Sequence, residues 1–77
     1  MTITIQDIRS LVGLQLGVRD VSANARFIED LGAESVDLVN LIAAAEDRYH
    51  ISFDEEQIAR VRTAQELYDL IKKTAQL

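Results

Sequence analysis

Apolar residues in this chain recur at intervals of three and four along three stretches, and no stretch sustains the alternation of a half-buried strand. Ile5, Ile8, Val12 and Leu16 share one face of a helix over Thr4 to Leu16, with Leu11 at its edge and Arg9, Ser10 and Gly13 opposite. Leu38, Leu41, Ile42, Ala45 and Tyr49 make a core face over Ser35 to about His50. Ala64, Leu67, Tyr68, Ile71 and Ala75, with Leu70 beside them, do the same in a last helix that runs to about Thr74. A shorter pattern around Ile58 predicts one or two further turns, from about Asp54 to Arg60. Amphipathic helices this short bury their stripes only against one another. The pattern therefore predicts an all-α fold, a small four-helix bundle of three longer helices and one short helix.

Local chemistry places the ends. Thr4 with Asp7 is a weak helix-start pair and Gly17 a reasonable stop. Ser52 with Glu55 and Asp54 with Gln57 both have capping-box spacing, while Thr63 with Glu66 is the best such pair in the chain. Lys72 and Lys73 suit the C-terminal end of the last helix dipole. Between the first two long helices, Val18 to Ala33 lack a sustained period and read as a long ordered loop. Val18, Val21, Phe27, Ile28 and Leu31 are its expected anchors in the core. Ile51, Phe53, Ile58 and Val61 should also face inward, whereas Leu14 points off its stripe and should be half exposed.

Seventy-seven residues suit one small domain, expected to span 1–77. The core of such a domain supplies ~3–5 kcal/mol, which favours a carrier, adaptor or binding module over an enzyme with a deep polar cleft. With no cysteine there is neither a disulfide nor a thiolate metal site. The segment MTITIQDIRS has no basic leader followed by a long apolar run, and no stretch approaches a membrane span, so a cytoplasmic location is the default expectation.

Charge is unevenly spread. Residues 27–57 hold nine acidic residues against one basic residue, Arg48, a net of −8, while the remainder of the chain is +3. Such a surface repels nucleic acid and steers towards basic patches on protein partners, although an acidic face can also serve solubility alone. Neither a glycine-rich phosphate loop nor a basic stripe occurs, so nucleotide and nucleic-acid functions lack support. His50, the only histidine, has no nucleophile arranged beside it, and the pairs Glu46-Asp47 and Glu55-Glu56 are helix neighbours that do not face one another. No EF-hand spacing is present. Any divalent-ion site would be weak and structural, and no metal ligands are assigned.

The acidic region surrounds the run EDLGAESVDLVNLIAAAED, from Glu29 to Asp47. Gly32 allows a sharp bend, and Ser35 then stands where the second long helix begins, as either an ordinary cap or an exposed hydroxyl beside unpaired backbone N–H groups that suit a phosphate. Val36, Val39 and Ala43 form a second apolar stripe on this helix, flanked by Asp37, Asn40, Glu46 and Asp47. Small apolar contacts rimmed by charge have the composition of a docking face, though Val39 would serve equally well in packing against a neighbouring helix.

The segment DLGAESVDLVNLI resembles the signature of acyl carrier proteins, and the resemblance extends over nearly the whole chain. It implies that a phosphopantetheinyl transferase moves 4′-phosphopantetheine from coenzyme A onto Ser35, and that the arm's thiol carries acyl groups as thioesters. It implies no catalysis by the chain itself, and expects a monomer. Partners would be ketosynthases, reductases, ligases or acyltransferases with basic patches, docking on Glu34, Val36, Asp37, Asn40, Ala43, Glu46 and Asp47. Several positions depart from the commonest pattern: Glu34 stands for aspartate, Val36 for leucine, Asn40 and Arg48 for acids, and Ala43 for a larger apolar residue. These departures suggest a specialised carrier serving a dedicated ligase or a polyketide- or lipid-modifying pathway. Ala45, with Ala44 beside it, replaces volume the family usually fills with leucine, which implies either closer helices or room for a medium acyl chain in the bundle. An aminoacyl or peptidyl carrier is the nearest alternative, but Gly32-Ala33-Glu34 lacks the glycine pair usual there. An unmodified helical adaptor, with Ser35 as a plain cap, is the alternative of another class.

Overall fold

The computed structural model describes residues 2–75, which form four helices: α1 (Ile5–Leu16), α2 (Ser35–Tyr49), α3 (Glu55–Arg60) and α4 (Ala64–Ala75). Among the described residues there is no strand, only a single antiparallel bridge between Arg26 and Thr63. The expected all-α bundle is what forms, with three long helices, one short helix and a long ordered loop between α1 and α2.

Each start has a local cause. At α1 the Thr4 hydroxyl accepts the Asp7 N–H at 3.2 Å and the Asp7 carboxylate accepts the Thr4 N–H at 2.9 Å, so the pair that looked weak in sequence is a complete capping box. Of the two candidate boxes before α3, Asp54 with Gln57 forms, the Gln57 side chain accepting the Asp54 N–H at 2.9 Å. At α4 the Thr63 hydroxyl accepts the Glu66 N–H at 3.1 Å, but the Glu66 carboxylate reaches one residue further, to the Arg62 N–H at 3.0 Å. That shift satisfies a donor in the tight α3–α4 link instead of the cap itself.

Two left-handed residues end the long helices. Gly17, at φ +68°, closes α1 by donating its N–H to the Gly13 carbonyl, which also accepts the Val18 N–H at 3.0 Å. His50 does the same for α2 at φ +55°, its N–H and that of Ile51 both meeting the Glu46 carbonyl. The only histidine is thus a helix terminator, in a conformation that non-glycine residues seldom adopt.

α1 packs against both α2 and α4. Ile8, Val12, Leu41, Leu67, Ile71 and Phe27 are fully enclosed between them, and no polar side chain is buried among the described residues. Leu11, expected at the edge of α1, is buried, and Ile5 is only half-buried, so the inward face is rotated from the one read off the spacing. Ile3, before the helix, joins the core as well. Leu14 is 78% exposed, more than the half expected. Arg9, placed on the outer face in sequence, is half-buried because its guanidinium donates to the Val21 carbonyl and ties down the start of the loop.

The loop is held by backbone bonds as much as by side chains. Phe27 donates its N–H to the Arg62 carbonyl at 2.8 Å and Gln65 donates to the Ala23 carbonyl at 2.9 Å, stitching the loop to the α3–α4 link. Val21 and Phe27 are buried and Val18 and Leu31 partly so, as expected of anchors. Ile28 is not an anchor: it is 49% exposed, because the turn from Arg26 to Leu31 has helical pitch and sends Phe27 and Leu31 inward while Ile28 faces out. α3 buries none of its residues completely and is held by half-buried Ile58 and by Phe53 and Val61 at its flanks.

Candidate functional site

The N-terminus of α2 is built without the Ser35 side chain. Glu34 takes the cap position in extended backbone, and the Asp37 carboxylate accepts the Glu34 N–H at 2.8 Å. Ser35 is the first helical residue, is exposed, and its hydroxyl enters no hydrogen bond among the described residues. The reading of Ser35 as a plain cap is therefore not realised. The Asp37 and Leu38 N–H groups reach back to the Glu34 carbonyl, whereas those of Ser35 and Val36 take part in no cap or turn bond among the described residues. A phosphate ester on Ser35 would thus lie beside two free donors at the positive end of a 15-residue helix, so the residues fit an attached phosphopantetheine arm.

A cavity of about 480 Å³ opens next to the serine. Ser35, Leu38 and Val39 of α2 form one wall, Phe27, Ile28 and Glu29 of the loop a second, and Ile58, Ala59, Val61 and Arg62 a third. Its lining is mostly apolar. Neither Ala44 nor Ala45 lines it: Ala45 is fully enclosed by the core and Ala44 partly so. Sequence reading did not find this cavity, because its walls come from three separate segments, within 27–29, 35–39 and 58–62, and no local pattern links them.

The proposed docking positions divide. Glu34, Val36, Asn40, Ala43 and Asp47 are exposed, with Val36 at 58%, and so is Val39 at 66%, which therefore does not pack against a neighbouring helix. Two of the acids have structural work as well. Asp37 is half-buried on the cap, and the half-buried Glu46 carboxylate accepts the Phe53 N–H at 2.8 Å, fixing the segment after α2. Arg48 lies 5.7 Å from the centroid of the Tyr49 ring. Burial pushes the Tyr49 hydroxyl up from its usual pKa, against Arg48 and with help from Asp7, and that hydroxyl is enclosed without a partner among the described residues.

Arg26 and Asp30 make a further cluster. The Asp30 carboxylate accepts the Arg26 N–H at 2.8 Å and two guanidinium N–H groups at 3.0 and 3.1 Å, and Glu29 lies 3.6 Å from the same guanidinium. Hydrogen bonds from Arg26 hold the Asp30 carboxyl below the usual range, and those to Asp30 raise Arg26 in turn. Opposite charges four residues apart were the signal for this pair in sequence. Among the described residues no three His, Cys, Asp or Glu side chains gather as a metal site, and no helix is long and apolar enough to cross a membrane.

Comparison with known proteins agrees with this geometry. The family model for the phosphopantetheine attachment site matches residues 6–71. The acyl carrier protein of the actinorhodin polyketide synthase from Streptomyces coelicolor, solved bearing a 3,5-dioxohexyl triketide mimic, is 32% identical, with a TM-score of 0.76 over 99% of this chain and 94% of that one. The acetyl form of the actinorhodin carrier is 31% identical, with a TM-score of 0.74 over 96% and 92% of the two chains. An acyl carrier protein from Thermotoga maritima, at 24% identity, shares the fold with a TM-score of 0.77 over 94% and 86%. The family match leaves no basis for an unmodified adaptor. From the signature around Ser35, the four-helix fold and these matches it follows that the chain belongs to the acyl carrier proteins, carriers with covalently attached 4′-phosphopantetheine.

Proposed function

We propose that Ser35 is the residue that bears the arm, and that residues 1–77 act as one acyl-carrier domain in fatty-acid, lipid or polyketide biosynthesis. The observation that carries this reading is the Ser35 hydroxyl, exposed at the first residue of α2 and unused by the cap. In the transfer, the serine oxygen bonds to the phosphorus next to pantetheine in coenzyme A, the pyrophosphate bond breaks, and adenosine 3′,5′-bisphosphate leaves. The serine proton passes to a base from outside the chain, since no carboxylate or imidazole among the described residues is bonded to that hydroxyl. Once attached, the arm supplies a thiol on which an acyl group is held as a thioester.

The chain's own residues then bind and present. Leu38, Ile58 and Val61 offer an apolar lining beside the attachment point, into which a short or medium acyl chain can fold back. Val36, Val39 and Ala43, rimmed by Glu34, Asn40 and Asp47, offer partners a small apolar centre with steering charge around it. Those partners are a phosphopantetheinyl transferase and then a ligase, ketosynthase, reductase or acyltransferase with a basic patch. The chain works as a cytoplasmic monomer and itself catalyses nothing. Asn40, Ala43 and Arg48 make the docking face shallower and less acidic than is usual, which supports a specialised carrier; full support of every elongation step in a reconstituted synthase would contradict that.

The test of attachment is a mass measurement. The apo protein incubated with coenzyme A, magnesium and a promiscuous phosphopantetheinyl transferase should gain one phosphopantetheine group, and Ser35→Ala should gain nothing. No gain by the parent chain, or a gain by the variant, would sink the assignment.

A further inference from the structure

The cavity beside Ser35 is bounded on one side by three consecutive loop residues, Phe27, Ile28 and Glu29. These are the residues bracketed by Arg26 and Asp30, which grip one another through three hydrogen bonds. The backbone of the bracket is anchored at both ends, with Leu31 partly buried and Ala33 buried on the far side. Arg26 pairs with Thr63 across the antiparallel bridge, and the next N–H, of Phe27, is bonded to the Arg62 carbonyl. Beyond Phe27 the half-exposed Ile28 has no core contact to hold it in place. This outer wall is kept curled over the cavity by the turn bonds from Asp30 and Leu31 to the Arg26 carbonyl, from Gly32 to the Ile28 carbonyl and from Ala33 to the Phe27 carbonyl, and the link from Asp30 back to Arg26 is the side-chain tie among them.

We propose that the Arg26–Asp30 pair is a positioning clamp that sets the aperture of the cavity beside Ser35 and so governs how long an acyl chain this carrier shelters. The inference rests on the reading that the arm's cargo folds back into that cavity. With the clamp closed, Ile28 and Glu29 stand over the mouth between α2 and α3. With it open, Ile28 and Glu29 move away from Val39 and Ile58 across the cavity while Phe27 and Leu31 stay anchored, and the mouth widens to solvent. A bidentate guanidinium–carboxylate fork suits this purpose because it fixes orientation as well as distance. Glu29, on the same guanidinium at 3.6 Å, adds its charge to the closed form while itself lining the cavity.

The experiment compares thioesters of two lengths on the same holo protein. Octanoyl and acetyl groups are loaded on the arm, and cleavage by hydroxylamine is timed, each rate being referred to the matching free pantetheine thioester. In the parent chain the octanoyl ester should be cleaved more slowly than the acetyl ester relative to those references. Arg26→Gln should speed octanoyl cleavage about two- to fivefold, the range an exposed ion pair supports, and leave acetyl cleavage unchanged. Asp30→Asn should do the same, and the double variant should match the singles, since each removes the same link. A purely structural loss would accelerate both lengths alike, and that result overturns the proposal. So does a parent octanoyl protection that survives in both variants, which leaves the cavity reading intact. Equal normalised rates for the two esters in the parent chain would instead sink the cavity reading itself, and the clamp with it.

Discussion

Replacing Ser35 by alanine separates the two things a serine at a helix start can be. If its hydroxyl capped α2, the substitution would cost ~1 kcal/mol, within a range of about 0.5–2. In the structure the cap is Glu34 with Asp37, and the serine hydroxyl is bonded to nothing among the described residues, so there is no bond to lose. Alanine is moreover the better helix former, by roughly 0.5 kcal/mol. The two considerations together put the change within about 0.5 kcal/mol of zero, a melting-temperature shift of at most ~4 °C for a domain of this size. Asp37→Ala is the matched control. It removes the acceptor of the 2.8 Å bond from the Glu34 N–H and an acid from the first turn, and should cost ~1 kcal/mol or ~4–8 °C. Thermal and urea unfolding of the apo proteins, followed by far-ultraviolet circular dichroism, reads both. A Ser35→Ala protein that loses 1 kcal/mol or more, beside an unaffected Asp37→Ala, would refute the reasoning and return Ser35 to the role of a cap.

Three further outcomes are expected. Gly13→Ala should destabilise the protein by up to ~2 kcal/mol in urea unfolding: the new Cβ would stand 2.8 Å from the Val18 backbone carbonyl oxygen, and the ~1–3 kcal/mol cost of such overpacking is set against a ~1 kcal/mol gain in helix propensity, with the Val18 N–H that bonds to Gly13 displaced as well. Tyr49→Phe should leave stability unchanged or raise it by ~1 kcal/mol, because the phenol hydroxyl is enclosed with no partner; a clear loss in the melting temperature would mean the hydroxyl is satisfied through a bound water. The Asp30 carboxyl should titrate below ~3.9 by carbon NMR and return towards that value in Arg26→Gln. Because its folded pKa is depressed, its contribution to stability is whole above the unfolded value and is lost as pH falls through the folded one, so the loss belongs to strongly acidic solution and not to neutral pH.

Much of this protein was legible because its information is local. The apolar spacing that marks each helix, the Thr4-Asp7 and Asp54-Gln57 boxes and the Gly17 stop are relations between residues three to four apart, and the four helices, both boxes and the stop appear where the spacing put them. The signature around Ser35 is likewise a short contiguous run, which is why the family could be read from it. Even so, local rules misplaced some details. Ile28 has the composition of an anchor and the orientation of an outward turn residue, and Leu11 is deeper than its place on the stripe suggests.

What tertiary structure alone decided is which of several locally permitted roles each residue plays. Ser35 could cap α2 or leave its hydroxyl free, and the choice fell to how Glu34 enters the helix from Gly32, at φ +72°. Val39 could pack against a helix or face solvent, and it is exposed because α1 meets α2 on the face of Leu41 and Ala45. Glu46 could be a docking charge, yet its carboxylate also holds Phe53. The cavity beside Ser35 lies where the loop is stitched to the α3–α4 link and the start of α4 by bonds between residues about 35 and 42 positions apart, Phe27 to Arg62 and Ala23 to Gln65. Helical periodicity is written within a turn or two of chain, and so the sequence by itself determined the helices and the attachment signature. Backbone pairing across such a distance leaves no periodic trace, and so the space into which cargo can fold was settled by the assembled bundle.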